Sequence, residues 1–196
     1  MLTVRKILFV SGLIAGSLLL SSCSKNDNKY VIETEVGDII FETYPEKAPI
    51  TITNFKKYVD QNIFDGASFY RVVRMDNQPK DSIKIEVIQG DFTGKDYYFP
   101  TIAHETTDVT GLKHLDGTVS MGRFKVGTTA AEFFICIGDQ PELDYGGKRN
   151  PDGQGFAAFG QVIDGMDVVK KIQNGETDYQ TLKNKIRIIQ IKKVKK

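Results

Sequence analysis

A mainly β fold, an antiparallel barrel plugged by two α-helices, is what this sequence predicts for residues 30–196. Three observations predict it. Short segments with apolar residues at every second position recur along the chain, parted by turns rich in Gly, Pro and Asp, as half-buried strands require. Helical spacing appears only twice, once early and once late, and many strands with few helices favour a barrel with stoppered ends. The apolar and charged fractions, 40% and 26%, are those of an ordinary globular protein, and the length past residue 29 suits a single domain. A formal net charge of +1 gives no global reason to expect a nucleic-acid partner.

The N-terminus is set apart from that fold. Arg5 and Lys6 precede an apolar run, Ile7 to Leu20, that is short for a membrane span but suits the centre of a signal peptide. Leu20-Ser21-Ser22-Cys23 resembles a bacterial lipobox, which implies cleavage before Cys23 and lipidation of that residue. Several acyl chains on one residue exceed the two-signal requirement for stable membrane anchoring. The expected organisation is a lipoprotein signal peptide over 1–22, a polar flexible tether over 23–29 and one domain over 30–196. The domain would then be lipid-anchored in a bacterial cell envelope, facing the periplasm or the cell surface. An ordinary cleaved signal or an uncleaved anchor is the alternative. With Cys23 acylated, the second cysteine, Cys136, has no intramolecular partner and reads as a small buried apolar residue.

Within the domain the elements follow in order. Tyr30–Val36 and Asp38–Tyr44 flank Gly37 as a hairpin. Thr51 is placed to cap a helix in which Ile52, Phe55, Tyr58 and Val59 recur at helical spacing. Phe69–Val73 is a strand whose period of two puts Phe69, Arg71 and Val73 on one face. Val87–Phe92 and Gly117–Met121 are further strands, followed by Ala131–Ile137. Asp164 is placed to cap a second helix carrying Val168, Val169 and Ile172, with Asn174-Gly175 as its stop. The basic stretch Lys183–Lys196 reads as a closing strand with a solvated cationic face in preference to an anionic-lipid contact. Two connections are long, Arg74–Ile83 and Gly138–Phe156, and loops of that length tend to be functional or disordered. Asp144, Asn150 and Asp152 lack the spacing of a calcium loop and read as turn formers, so no metal is expected.

The strand Ala131–Ile137 carries the first functional signal. Alternation puts Glu132, Phe134 and Cys136 on one face and Phe133, Ile135 and Ile137 on the other. A carboxylate beside a large ring is unlike an ordinary core; it suits the lip of a binding groove, with an apolar seat and a polar neighbour that fixes orientation.

In order and spacing, four segments resemble the cyclophilin family of peptidyl-prolyl cis–trans isomerases. They are Phe69-Tyr70-Arg71-Val72-Val73, Val87-Ile88-Gln89-Gly90-Asp91-Phe92, Gly117-Thr118-Val119-Ser120-Met121 and Glu132-Phe133-Phe134-Ile135. A fifth follows, Phe159-Gly160-Gln161-Val162-Ile163-Asp164-Gly165-Met166. The resemblance implies that the barrel is closed and eight-stranded, that the protein is a monomer, and that the enzyme needs no cofactor. Its substrates would be Pro-containing polypeptides.

The resemblance also assigns roles. X–Pro rotation is resisted by amide resonance, a barrier of roughly 18–20 kcal/mol. A cation aimed at the proline nitrogen holds the lone pair there and stabilises the twisted amide over the planar one. Arg71 is the candidate for that cation, Phe134 for the seat of the proline ring and Gln89 for holding substrate backbone. Val87, Met121, Leu143 and Phe156 match groove positions, and Glu132 stands where many relatives have Gln. Gly122 and Arg123 replace Ala-Asn, the groove Trp falls at Glu142, and the groove His falls at Phe156. Neither His104 nor His114 falls at a groove position, and both read as surface or turn residues. Glu132 would either hold Arg71 through a charge-assisted bond or compete for it. The second case gives the alternative function, a catalytically weak proline-segment binding module or holdase lipoprotein.

Overall fold

The computed structural model describes residues 28–91 and 99–195. The expected signal peptide, Cys23 and most of the tether lie outside the described residues. β1 (Lys29–Thr34) and β2 (Gly37–Thr43) form the hairpin, and β1 takes in Lys29, the last residue of the expected tether. α1 (Pro49–Asp60) follows, then β3 (Ser68–Val73), β4 (Val87–Asp91) and the single turn α2 (Thr107–Thr110). β5 (Thr118–Met121), β6 (Phe133–Cys136), the short 3₁₀ turn Pro141–Leu143, β7 (Ala157–Asp164) and α3 (Met166–Gln173) come next. The chain ends with the two-residue β8 (Thr177–Asp178) and the long β9 (Thr181–Lys193).

The sheet runs β1-β2-β7-β5-β6-β4-β3-β9, and β9 pairs back to β1, so eight antiparallel strands close on themselves and β8 is appended to β9. Closure removes the exposed edges that would otherwise template aggregation. Inside, Phe41, Phe55, Phe64, Phe69, Phe133 and Phe159 are almost wholly buried and meet edge-on or tilted. α1 adds Ile52, Phe55, Tyr58 and Val59 to that core, and α3 adds Val169 and Ile172. Cys136 is buried as a free thiol, and burial pushes its pKa well above the ordinary value.

Both helix starts differ from expectation by a residue or more. Thr51 lies inside α1, which opens with Pro49 at its first turn, where the missing N–H costs nothing. Its cap comes from far along the chain: the buried Glu105 carboxylate accepts from the amides of Ile50 and Thr51, at 3.1 and 2.7 Å, and from the Thr51 hydroxyl. α3 is capped at Gly165, not Asp164, whose carboxylate accepts the Gly165 amide. Gly165 sits at φ +87°, and a Cβ there would lie 2.3 Å from the Asp38 carbonyl oxygen, so glycine is required.

The two long connections are pinned. In the first, Arg74 Nη1 donates to the Gln173 carbonyl at 2.7 Å, and the buried Gln78 amide bridges the Arg74 and Ile85 carbonyls, both at 2.7 Å. In the second, Asp144 bonds His114 and Asp152 bonds Arg123.

Candidate active site

Strand register builds the centre of the site. Arg71 of β3 pairs with Gln89 of β4, Gln89 with Phe134 of β6, and Phe134 with Ser120 of β5, so the three candidate residues lie in one row across the sheet. The next row holds Val73, Val87 and Cys136. Above these rows lies a cavity of about 400 Å³. It is lined by Arg71, Val87, Gln89, Glu132, Phe134, Leu143 and Phe156, seven of the eight groove residues expected from the sequence. Met121, the eighth, packs in the barrel core at 1% exposure. It has the parity of Val119 along β5, and both side chains point inward.

The expected shared face of Phe69, Arg71 and Val73 is broken. Phe69 pairs with Gly90 and Arg71 with Gln89, so Tyr70 is an extra residue, a β-bulge. Phe69 therefore packs in the core, whereas Arg71 and Tyr70 both line the cavity and Val73 joins Val87 and Phe134.

Arg71 is held by two glutamines. Its Nη1 donates to Gln89 Oε1 at 2.5 Å, and its Nε and Nη2 both donate to Gln180 Oε1, at 3.0 and 2.5 Å. Burial lowers the guanidinium's pKa, but an Arg side chain stays charged. Gln180 lies in the β8–β9 turn and donates in turn to the Asn77 carbonyl in the first long connection. Glu132 does not hold Arg71: its carboxylate accepts a short bond from the Tyr70 hydroxyl. Burial, then that bond, pushes the Tyr70 pKa well up. Gly122 leaves the space for Glu132, since a Cβ there would lie 2.8 Å from Glu132 Oε2.

The Phe134 ring is fixed from two sides. The Phe156 ring meets it edge-on at 5.3 Å, and the His114 imidazole lies parallel to it, at 14° and 5.9 Å between centroids. His114 is buried, against the surface or turn position expected for it. Its Nδ1 bonds Asp144 Oδ1 at 2.8 Å and its Nε2 bonds Ser120 Oγ at 3.0 Å. Burial lowers the His114 pKa despite the carboxylate. Partial burial raises the Asp144 carboxyl, but hydrogen bonds from the His114 ring and amide more than offset it, and its pKa falls below the ordinary value. Beyond Phe156, Arg123 lies over that ring at 5.4 Å and forks onto both Asp152 oxygens, at 2.7 and 2.8 Å. Among the described residues no group of three His, Cys, Asp or Glu is placed to hold a metal.

Sequence reasoning read His114 as a surface or turn residue and passed over Tyr70, Gln180 and Arg149, the last of which also lines the cavity. A tyrosine beside an expected site arginine was a usable signal. Gln180, 109 residues from Arg71, carried none.

Comparison with known proteins places this chain in a family. The chain matches the family model for cyclophilin type peptidyl-prolyl cis-trans isomerases over residues 29–193. A peptidyl-prolyl cis-trans isomerase of Acinetobacter baylyi is 33% identical over 166 residues, 84% of this chain and 82% of that protein. Peptidyl-prolyl cis-trans isomerase B of Escherichia coli is 32% identical over 152 residues, 74% of this chain and 83% of that protein. A cyclophilin type isomerase of Cryptosporidium parvum, solved in the presence of the dipeptide Ala-Pro, has the same fold. It aligns with a TM-score of 0.69 and 22% identity over 86% of this chain and 99% of that one. This chain is a member of the cyclophilin-type peptidyl-prolyl cis-trans isomerase family and an enzyme of that class.

Proposed function

We propose that this isomerase rotates X–Pro bonds in unfolded or flexible polypeptides of the cell envelope, with Arg71 directed at the proline nitrogen and the proline ring seated on Phe134. The observation that carries the reading is the single row of Arg71, Gln89 and Phe134 beneath the cavity. Of the guanidinium's five N–H donors, three are bonded to glutamine oxygens, which among the described residues leaves two for a substrate. Those acceptors are neutral amides, so they orient the cation without cancelling its charge. A donor aimed at the proline nitrogen gains strength as the amide twists and the lone pair localises, which is selective stabilisation of the transition state. Gln89 spends its oxygen on Arg71, and its NH₂ is left to hold a substrate carbonyl. The binding-module alternative needs Glu132 to neutralise Arg71; the Glu132 carboxylate accepts from the Tyr70 hydroxyl while Arg71 donates to Gln89 and Gln180, which favours the isomerase reading.

The test is a proline-peptide isomerisation assay on the full chain in detergent, wild type against Arg71→Ala. Loss of one preorganised donor of this kind predicts a fall of about 100-fold or more in kcat/KM with unchanged folding. Undiminished turnover in the variant refutes the role of Arg71. The membrane location is proposed on the lipobox resemblance at Cys23 alone. It predicts incorporation of labelled palmitate in bacteria, abolished in Cys23→Ser, and an unlabelled wild-type protein would rule it out.

A further inference from the structure

A third guanidinium stands at the loop side of the groove, and nothing in the rotation chemistry uses it. Arg149 lines the cavity that Arg71 and Phe134 line. It is not a swinging surface side chain. Its backbone amide donates to the Glu142 carbonyl at 3.1 Å, and the neighbouring Lys148 amide donates to the Glu142 carboxylate at 2.8 Å. Gly147 closes the same turn, where a Cβ would lie 2.4 Å from the Glu142 carbonyl oxygen. The side chain is 14% exposed and is fixed by one nitrogen: Nη1 donates to the Ile83 carbonyl at 2.6 Å and lies 3.3 Å from Asp81 Oδ2. The arginine thus ties the second long connection to the first.

Charge around the cavity is lopsided. Its described lining holds three guanidinium groups, those of Arg71, Arg123 and Arg149, and one carboxylate, that of Glu132. Glu132 is engaged by Tyr70, and Arg123 is matched by the bidentate Asp152. Arg71 donates to the amide oxygens of Gln89 and Gln180. Arg149 faces Asp81, whose side chain is 40% exposed. A pair with one partner so well solvated is weak and exchangeable. A carboxylate arriving on a substrate finds a planar fork already fixed by one nitrogen, beside apolar walls of Ile85, Val87 and Leu143 that strengthen the attraction.

We propose that Arg149 is a specificity-determining residue that selects X–Pro segments with an Asp or Glu side chain flanking the proline, the substrate carboxylate taking the place of Asp81. The inference rests on the isomerase reading and names the substrate class for that site.

The experiment uses the full chain in detergent and three peptide types, with Glu, Ala or Lys next to the proline, before it in one set and after it in another. In at least one set, kcat/KM for the Glu peptide exceeds that for the Lys peptide by about fivefold at low salt, the size expected of a partly exposed ion pair against its like-charge counterpart. The ratio narrows as salt is added. Arg149→Gln brings it to about one, Arg149→Lys retains part of it, and Asp81→Asn widens it by removing the competitor. The Ala peptide reports on the isomerase reading by itself. Should it not turn over, calorimetric titration of the Glu and Lys peptides still decides the preference. A Glu-to-Lys ratio near one in both sets at low salt, or a preference that survives Arg149→Gln, overturns the proposal.

Discussion

Phe133 and Phe134 are adjacent in sequence and almost equally buried, at 0% and 4% exposure, yet they serve opposite faces of β6. Phe133 meets Phe64 and Phe69 edge-on inside the barrel. Phe134 rests on His114 and Phe156 and forms part of the cavity wall. The inner face is filled by other apolar side chains, so its order is a matter of packing density. The outer face is covered by loops and held by polar bonds: Asp144 to His114, Asp152 to Arg123, and Gln180 to Arg71. Fractional burial does not separate core from site here. What separates them is whether the far side of the ring is protein or a space that a ligand can enter.

Truncating each ring in turn tests that distinction most forcefully. Phe133→Ala opens a closed void and lowers unfolding free energy by about 4 kcal/mol, a large share of the 5–15 kcal/mol typical of a domain. Phe134→Ala widens a cavity that already reaches solvent, so water or neighbouring side chains refill it and the loss is about 2 kcal/mol. Its main effect falls on turnover, through a raised KM for proline peptides and a fall of at least about tenfold in kcat/KM. Urea unfolding and the isomerisation assay read the two quantities on each variant. Equal stability losses, or a Phe134→Ala enzyme with wild-type KM, would erase the distinction between the faces.

The inner face was legible in the sequence because it obeys one local rule. Alternation along β6 sorts Phe133 and Ile135 from Phe134 and Cys136 without reference to any other strand. The same rule places Met121 with Val119 on the inner side of β5, and a motif position read without parity misplaced it. Alternation failed at Phe69 and Arg71 because the bulge at Tyr70 exists only in the pairing of β3 with β4 and β9, which no single strand encodes. Arg71, Gln89 and Phe134 were legible as separate motifs, whereas their common row is a property of register. The partners of the outer face were the hardest to see. Glu105 caps a helix 54 residues earlier, Gln180 holds an arginine 109 residues earlier, and His114 reaches Asp144 across 30 residues. Polar bonds of that span leave no periodic trace.

The two faces also differ in how acid reaches them. The aromatic and aliphatic side chains packed inside the barrel take up no proton in acid, but the Arg123–Asp152 fork on the outer face does. The hydrogen bonds from Arg123 hold the Asp152 carboxyl at about 2, against an ordinary 3.8. A carboxyl with its pKa depressed on folding binds protons more readily unfolded, so its contribution is whole above the ordinary value and is lost as pH falls through the folded one. The window is therefore about pH 4 down to about pH 2. Asp152 is 39% exposed, and solvent screening reduces the contribution to about 1 kcal/mol. Asp152→Asn keeps an acceptor for Arg123 but removes the titration, so its stability-versus-pH curve lies about 1 kcal/mol below wild type at neutral pH and meets it near pH 2. The buried Arg123 also bonds the Gly155 carbonyl at 2.7 Å and lies over Phe156, so the same acid step loosens the ring that meets Phe134 edge-on. Denaturant melts at closely spaced pH values compare the two proteins. Parallel curves across that window would mean that the fork adds no pH-dependent stability to the outer face.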